Sequence, residues 1–534
     1  MKPVVHNRRV KLLALALLWP IASVMAQTTE FVPRQATFTG NTVITSDVLQ
    51  ATAAPYLSRP LNHPLTEDDL EDLRQKLVRV YTDAGYVNSG VVVDGVLAGN
   101  TLNFKVIEGR LKGITVTGAG RLDPRYITRR LDKGDSAPFN TNVLRERFQW
   151  LLTDPLIARM NARVAPGENL GEALLEVDVA LAPTSQFTLV ANNYRPPSVG
   201  EASIGLAATF RNLTGAGDVL EANLQAAPQS GIFSKAALAW HVPLGFSGTR
   251  MSLGIDQGDS SVMEQPAAVL GITSQLRSVD LGLSHAFVES LTHRFTLGLN
   301  RVVRENQTSL LGTPFSFNPN EPDGLTRETL WRVWQDYSYR TPTQALAFRS
   351  TFTFGQNNLR DSSGLPAQPN DGAPPSSPPS SFRSWMGQAQ WSRQLSTEGV
   401  QLVARAIVQR SADRLLALDG LAVGGVNTVR GYRENELVRD QGEYINLEVD
   451  FPVAGLSGSD TRVHLVPFID AGSAHNLGGP IQALSSLGLA VRAYCRGLQA
   501  DLTIAKRLTS VDQSQDSANS LQGQGIHLQI SYKF

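Results

Sequence analysis

The chain has 534 residues, with 48 Lys+Arg against 48 Asp+Glu. That balance leaves no broad basic surface to attract nucleic acid or an anionic membrane face. Cys495 is the only cysteine, which excludes an internal disulfide, a thiolate zinc cluster and a Cys-x-x-Cys redox pair and leaves it a packing role.

The N-terminus places Lys2, Arg8, Arg9 and Lys11 before the apolar run LLALALLWPIASV, and small residues surround Val24-Met25-Ala26. This reads as a secretory signal over 1–26. The run falls short of the roughly 20 residues a spanning helix needs, and no later run replaces it. A mature chain of this kind enters a membrane only as a closed barrel, in which every backbone N–H and C=O finds a strand partner.

Residues 27–109 read as one α+β domain. FVPRQATFTGNTVIT is strand-like with a Gly-Asn turn, and a helical stretch runs from Ser46 to about Leu57. A second helix opens at Thr66 with Asp69 three residues on, carries Leu70, Leu73, Leu77 and Val80 on one face, and stops at Gly85. The acidic Glu67-Asp68-Asp69 complements the dipole of its first turn. VVVDG and TLNFKVIEG then alternate like a hairpin, so the order is β-α-α-β-β. Residues 110–183 repeat it: LKGITVTGAG as strand and turn, PRYITRRL as helix, a helix with Leu144, Phe148 and Leu151 on one face, and EALLEVDVAL as the closing strand. One supersecondary order repeated at about 75 residues resembles tandem POTRA domains, periplasmic modules of outer-membrane assembly and secretion proteins.

From 184 to 534 the texture changes to short alternating runs. In EYINLEVDF, Ile445, Leu447, Val449 and Phe451 alternate with Tyr444, Asn446, Glu448 and Asp450, so one face suits lipid and the other water. GIHLQISYKF ends the chain the same way, with Ile526, Leu528, Ile530, Tyr532 and Phe534 opposite His527, Gln529, Ser531 and Lys533. About sixteen such runs can be counted, an even number as bacterial barrels require. Connectors after even runs are mostly short (NLTGAGD, RTPTQ, LSTEG), whereas those after odd runs include long ones near 258–275, 302–326, 355–382, 409–441 and 507–523. Short periplasmic turns and long outer loops produce that parity. DSSGLPAQPNDGAPPSSPPS, from 361, falls in an outer loop whose Pro and Ser content predicts a mobile surface segment.

No phosphate cradle, HExxH or GxSxG occurs, the eight histidines are scattered singly, and nothing points to an enzyme, a cofactor or a bound metal. The informative residues are Arg430, in GGVNTVRGY, and Asp470, in RVHLVPFIDAG. Alternation turns Val463, Leu465 and Ile469 outward and Asp470 inward with Phe468, His464 and Arg462. A loop of about 411–441 folded into the lumen brings Arg430 within reach of that carboxylate, with Gly424, Gly425 and Gly431 letting its backbone pass close to the wall.

VRGY at 429–432 and FIDAG at 468–472 resemble the two signatures of two-partner secretion transporters, the group of filamentous haemagglutinin and haemolysin exporters. The resemblance covers essentially the whole mature chain: two POTRA domains, then a 16-stranded antiparallel transmembrane β-barrel. It implies that Arg430 pairs with Asp470 inside the lumen, with Val429, Gly431, Tyr432, Phe468 and Gly472 completing the motifs. It also implies that the terminal aromatic Phe534 is read by the barrel assembly machinery. The implied function is outer-membrane export, with POTRA domains in the periplasm capturing an unfolded secreted partner of the large β-helical adhesin or cytolysin type. Partners would then be that protein, outer-membrane lipid and the assembly machinery, with no nucleic acid. An outer-membrane assembly insertase is the alternative, and a passive porin the more distant one. Family members often carry an N-terminal plug helix; 27–31 leave no room for one, so the loop alone is expected to occlude the pore.

Overall fold

The computed structural model describes residues 32–534 apart from 61–63, 98–99, 133, 135–137, 229–231, 318–320, 362, 369–376, 457, 459 and 511–519. The signal segment 1–26 and residues 27–31 lie outside the described residues. The chain divides into two compact units, one reaching Arg110 and including Glu168–Glu172, the other holding Leu111–Gly167 and Ala173–Phe534.

The first unit contains β1 (Gln35–Thr39), α1 (Ser46–Leu57), α2 (Glu67–Asp83), β2 (Gly90–Leu97) and β3 (Thr101–Ile107), in the sheet order β1-β3-β2. Helix α2 begins where the Thr66 hydroxyl accepts from the Asp69 N–H at 3.1 Å and the Asp69 carboxylate accepts from the Thr66 N–H at 3.1 Å, a reciprocal cap that satisfies two otherwise orphaned donors. Arg59, followed by the Thr66 N–H and hydroxyl, holds the Asp69 carboxyl well below the usual carboxylate range. Leu49 and Ala53 of α1 and Leu73, Leu77 and Tyr81 of α2 bury their side chains against Leu102, Phe104 and Val106 of β3. Leu70 and Val80 are only partly buried, because the helix turns Tyr81 rather than Val80 squarely into the core.

A second module repeats the order with β4 (Arg110–Thr117), α3 (Arg125–Leu131), α4 (Thr141–Leu151), β5 (Ile157–Pro166) and β6 (Glu172–Leu181), arranged β4-β6-β5. Strand β5 is absent from the sequence reading. It lies at the sheet edge with a register shift between Ile157 and Arg159; Ala158, Met160, Ala162 and Val164 alternate with Arg159, Asn161 and Arg163, but of these apolar side chains only Met160 is buried. The module packs on the barrel turn 212–218. Asp123 N–H donates to Gly215 C=O at 2.9 Å, Arg121 donates to Leu213 C=O at 2.8 Å, and a Cβ at Gly217 would sit 2.4 Å from the Tyr126 ring. The glycines of NLTGAGD serve this close approach as well as the turn itself.

Sixteen long antiparallel strands, with the two-residue Thr313–Pro314 as a side pairing, close a barrel from Ser185–Asn192 round to Ile526–Lys533. The seam pairs Tyr532 with Leu189, and Phe534 exchanges both backbone hydrogen bonds with Phe187 at 3.0 and 3.1 Å. Ile445, Leu447, Phe451, Leu528, Ile530, Tyr532 and Phe534 are exposed on the outside, whereas Asn446, Glu448 and His527 are buried inside. Connectors follow the expected parity, from two residues between Cys495 and Leu498 to 412–440 between Ser411 and Gln441. In the outer loop around 361–380, the described residues of 361–368 are mostly exposed, with local contacts of their own. Leu359 and Ala367 bury themselves against Leu416, and Asp361 binds three backbone N–H groups within its own turn. Its middle, 369–376, lies outside the described residues. The local pattern could not reveal this because the apolar surface that buries Ala367 comes from another loop.

Candidate functional site

Loop 412–440 leaves the strand Gln401–Ser411 and returns into its neighbour Gln441–Pro452. Its limbs pair as a short ribbon, Leu421–Val423 with Leu437–Arg439. Beyond the ribbon the tip carries an apolar core: Val423, Val429 and Tyr432 are fully buried and pack with Leu421 and Leu437 against Tyr444, Ala474 and Leu484 of the wall. Gly424 and Gly425 sit at φ +111° and +105°, and a Cβ on either would fall within 2.5 Å of Glu436 or Glu434. Only glycine accommodates both the conformation and the crowding.

This core presents Arg430 to the strand Thr461–His475. Its backbone N–H reaches Asp470 Oδ2 at 3.0 Å, Nε the same oxygen at 2.7 Å, and Nη2 reaches Oδ1 at 2.7 Å. Nη1 donates to Glu448 Oε2 at 2.8 Å. Arg430 is 4% and Asp470 0% exposed, so the pair is desolvated and depends on such bidentate geometry. The guanidinium lies 3.5 Å from the centre of the Phe468 ring, a cation–π contact. That ring occupies space left by Gly488, where a Cβ would be 2.5 Å from Phe468 Cζ. Gly472 similarly leaves room for Tyr444 and Val423.

The remaining motif residues meet the same wall. Gly431, at φ +92°, passes so close that a Cβ would stand 2.8 Å from Ala505 Cβ. Its N–H donates to His527 Nε2 at 3.2 Å, and its C=O accepts from Arg507 Nε at 2.7 Å. The Tyr432 hydroxyl lies 2.9 Å from the Ser485 C=O and 2.8 Å from the Thr509 C=O, either of which can accept its proton. The structure thus brings Val429, Arg430, Gly431, Tyr432, Phe468, Asp470 and Gly472 together. Phe534 lies apart, outside the barrel at its seam.

Several partners escaped the sequence reading. Glu448 also meets Arg492 at 3.2 Å and Arg405 at 3.4 Å; alternation placed it inward beside Asn446, which is paired with Asp470, and that register was the available signal. A second ion cluster was not anticipated. Asp419, on the loop's first limb, and Glu328, on the strand Leu325–Arg340, both accept from Arg304 on His293–Leu310. At the loop's base Asp440 accepts from Leu415 and Leu477 N–H at 2.9 Å each, and Arg414 lies 3.0 Å away. At its outer side Arg433 pairs with Glu264 at 2.7 Å. Beside the second cluster a cavity of roughly 430 Å³ is lined by Asp280, Asn300, Arg332, Trp334 and Asp419. Among the described residues no cluster of His, Cys, Asp and Glu suits a metal ion.

The haemolysin secretion/activation protein family ShlB/FhaC/HecB matches residues 171–493, and the ShlB-type POTRA domain matches 31–109. The outer membrane transporter CdiB of Escherichia coli O6:K15:H31 (strain 536 / UPEC) is 24% identical over 463 residues, covering 82% of this chain and 71% of that protein. Among solved structures, CdiB from Escherichia coli superposes with a TM-score of 0.70 at 19% identity, covering 97% of this chain and 93% of that one. BamA from Haemophilus ducreyi lacking POTRA domains 1-3 gives 0.55 at 11% identity, covering 95% and 100%. These two structures share the fold. The family match spans well over half the chain, and the protein belongs to the haemolysin secretion/activation family ShlB/FhaC/HecB, outer-membrane β-barrels with periplasmic POTRA domains.

Proposed function

We propose that this protein captures an unfolded secreted partner in the periplasm and passes it through the barrel to the cell surface, the loop 412–440 acting as the movable obstruction. The observation that carries the reading is the burial of Arg430 against Asp470 and Glu448 inside a barrel wall, which fixes a 29-residue connector where a passive pore would be open. In this reading Arg430 and Asp470 hold the closed state, and Val429, Gly431, Tyr432, Phe468 and Gly472 shape the seat.

The second module, with the element order of the first, is also a POTRA domain in this proposal, giving domains of 27–109, 110–183 and 184–534. Cargo binds as an added strand, because main-chain pairing at a sheet edge accepts many sequences. The first module's edge β2 suits that role, with Val92, Val96 and Leu97 exposed along it. The second module's edge β5 carries Arg159 and Arg163, the kind of charge that discourages strand addition. Lipid surrounds the outward apolar face, and the barrel assembly machinery reads Phe534 during biogenesis. Deleting Phe534 should lower the amount of folded, heat-modifiable protein; an unchanged membrane yield would remove that role.

The direct test is deletion of the gene followed by comparison of secreted and outer-membrane proteins. Loss of one large secreted protein, with other outer-membrane proteins at normal levels, supports the exporter. A general fall in outer-membrane proteins would favour an assembly insertase instead.

A further inference from the structure

A half-open cavity lies between the second module and the barrel rim. It has a volume of roughly 700 Å³, and its walls include Arg129, Arg130, Arg147 and Trp150 from α3 and α4 and His285 and Phe287 from the periplasmic end of the strand Thr273–Glu289. Two features set its chemistry. Helices α3 and α4 carry five arginines (Arg125, Arg129, Arg130, Arg145 and Arg147) against one glutamate, Glu146. Arg129 and Arg130 complement the C-terminal dipole of α3, and Arg147, from the middle of α4, reaches the same end by donating Nη1 to Leu131 C=O at 3.1 Å. With Glu146 and Glu289 ionised, the lining still carries one net positive charge from its three arginines.

The second feature is where the space opens. His285 and Phe287 continue the outward row of Leu281 and Leu283, all on the lipid-facing side of the wall, and Phe287 is 60% exposed. Their end of the strand is the one joined by a short turn, which is the periplasmic end. The space therefore faces the level at which inner-leaflet headgroups meet acyl chains, outside the barrel and away from the lumen. Trp150 beside it is the side chain that interfaces of this kind favour.

We propose that this space is a binding site for an anionic glycerophospholipid of the periplasmic leaflet. Arg129 and Arg147 take its phosphate, and Phe287 and Trp150 flank the first segment of its acyl chains. Guanidinium groups bind phosphate bidentately, and basic pockets at the membrane interface select anionic headgroups. A bound lipid would also bridge the module to the barrel rim. An acidic stretch of the secreted partner is the competing occupant; its route runs to the lumen, whereas this site opens to lipid.

The test uses the full chain in neutral detergent, with lipid adducts counted by native mass spectrometry after incubation with dioleoylphosphatidylglycerol, dioleoylphosphatidylcholine, inorganic phosphate or a polyglutamate peptide. Wild type should retain one phosphatidylglycerol in preference to phosphatidylcholine, and millimolar phosphate should not displace it. The double variant Arg129→Ala, Arg147→Ala should bind phosphatidylglycerol roughly 30-fold more weakly, as expected for two arginines at an anionic headgroup. Arg129→Lys, Arg147→Lys should keep most of the binding, which separates loss of charge from loss of fold. Equal retention of both lipids, undiminished binding by the alanine variant, displacement by phosphate alone, or displacement by polyglutamate would each overturn the lipid assignment.

Discussion

The two ion clusters that hold the loop differ in how well their charges are matched. At the tip, Arg430 gives both oxygens of Asp470 a donor and adds a bond to Glu448, which Arg405 and Arg492 also neutralise. On the first limb, one guanidinium, Arg304, serves two carboxylates, and Glu328 Oε1 and Asp419 Oδ2 are buried without a partner of their own. Arg332 stands within electrostatic range of both but makes no ion pair among those described. A buried charge pair holds when its lone pairs are satisfied, and each unsatisfied oxygen carries a desolvation cost of about 1–3 kcal/mol or more. In the proposed export, the tip cluster would hold the closed state and the limb cluster would be where the loop begins to let go.

That contrast can be broken by substitution. The largest effect is expected from Arg430→Ala, since removing one partner of a buried pair costs on the order of 3–5 kcal/mol. Secretion of the partner should fall while the barrel remains inserted and heat-modifiable; unchanged secretion would mean that the buried pair plays no part in export. Arg304→Ala leaves Glu328 and Asp419 facing each other without their shared cation. Single-channel conductance in planar bilayers should rise, with a smaller loss of secretion than for Arg430→Ala, and the reverse ranking would invert the assignment of the two clusters.

Gly431→Ala should come next. Forcing φ +92° on a side chain costs about 1–2 kcal/mol, and the new methyl meets Ala505; brief opening events should become more frequent without loss of the closed state. Glu328→Gln is expected to act least and in the opposite direction. It removes the surplus negative charge, so the loop should stay shut longer and conductance fluctuations should decline. More frequent opening in this variant would show that Glu328 supports the limb instead of straining it.

Sequence periodicity carried most of the architecture and little of the second cluster. Period-two alternation with connector parity marked the strands because lipid on one side and water on the other act on every residue of a wall in the same way. The cap at Thr66 and the stop at Gly85 marked α2 because both are local. Asp470 was readable as inward-facing from its own strand. Arg304 was not readable as a clamp: its partner Asp419 lies 115 positions away, and the meeting depends on how the loop crosses the lumen. Strand β5 carried a readable alternation of Ala158, Met160, Ala162 and Val164 with Arg159, Asn161 and Arg163, whereas the burial of Ala367 depends on a neighbouring loop.

Both limbs of the loop spring from adjacent strands, Gln401–Ser411 and Gln441–Pro452, so they share one stretch of rim. A flap attached along one side swings on an arc, as a trapdoor does, and cannot withdraw symmetrically like an iris. Its tip packs Val423, Val429 and Tyr432 against Tyr444, Ala474 and Leu484 of the wall, so these contacts would have to part for the flap to swing. If the proposed opening starts at the Arg304 contact, the first clear width would appear eccentrically, beside the polar surface of Asp280, Asn300, Arg332 and Trp334. An extended chain entering there would meet that side of the wall before any other, and the composition of its leading segment would be tested against those four side chains.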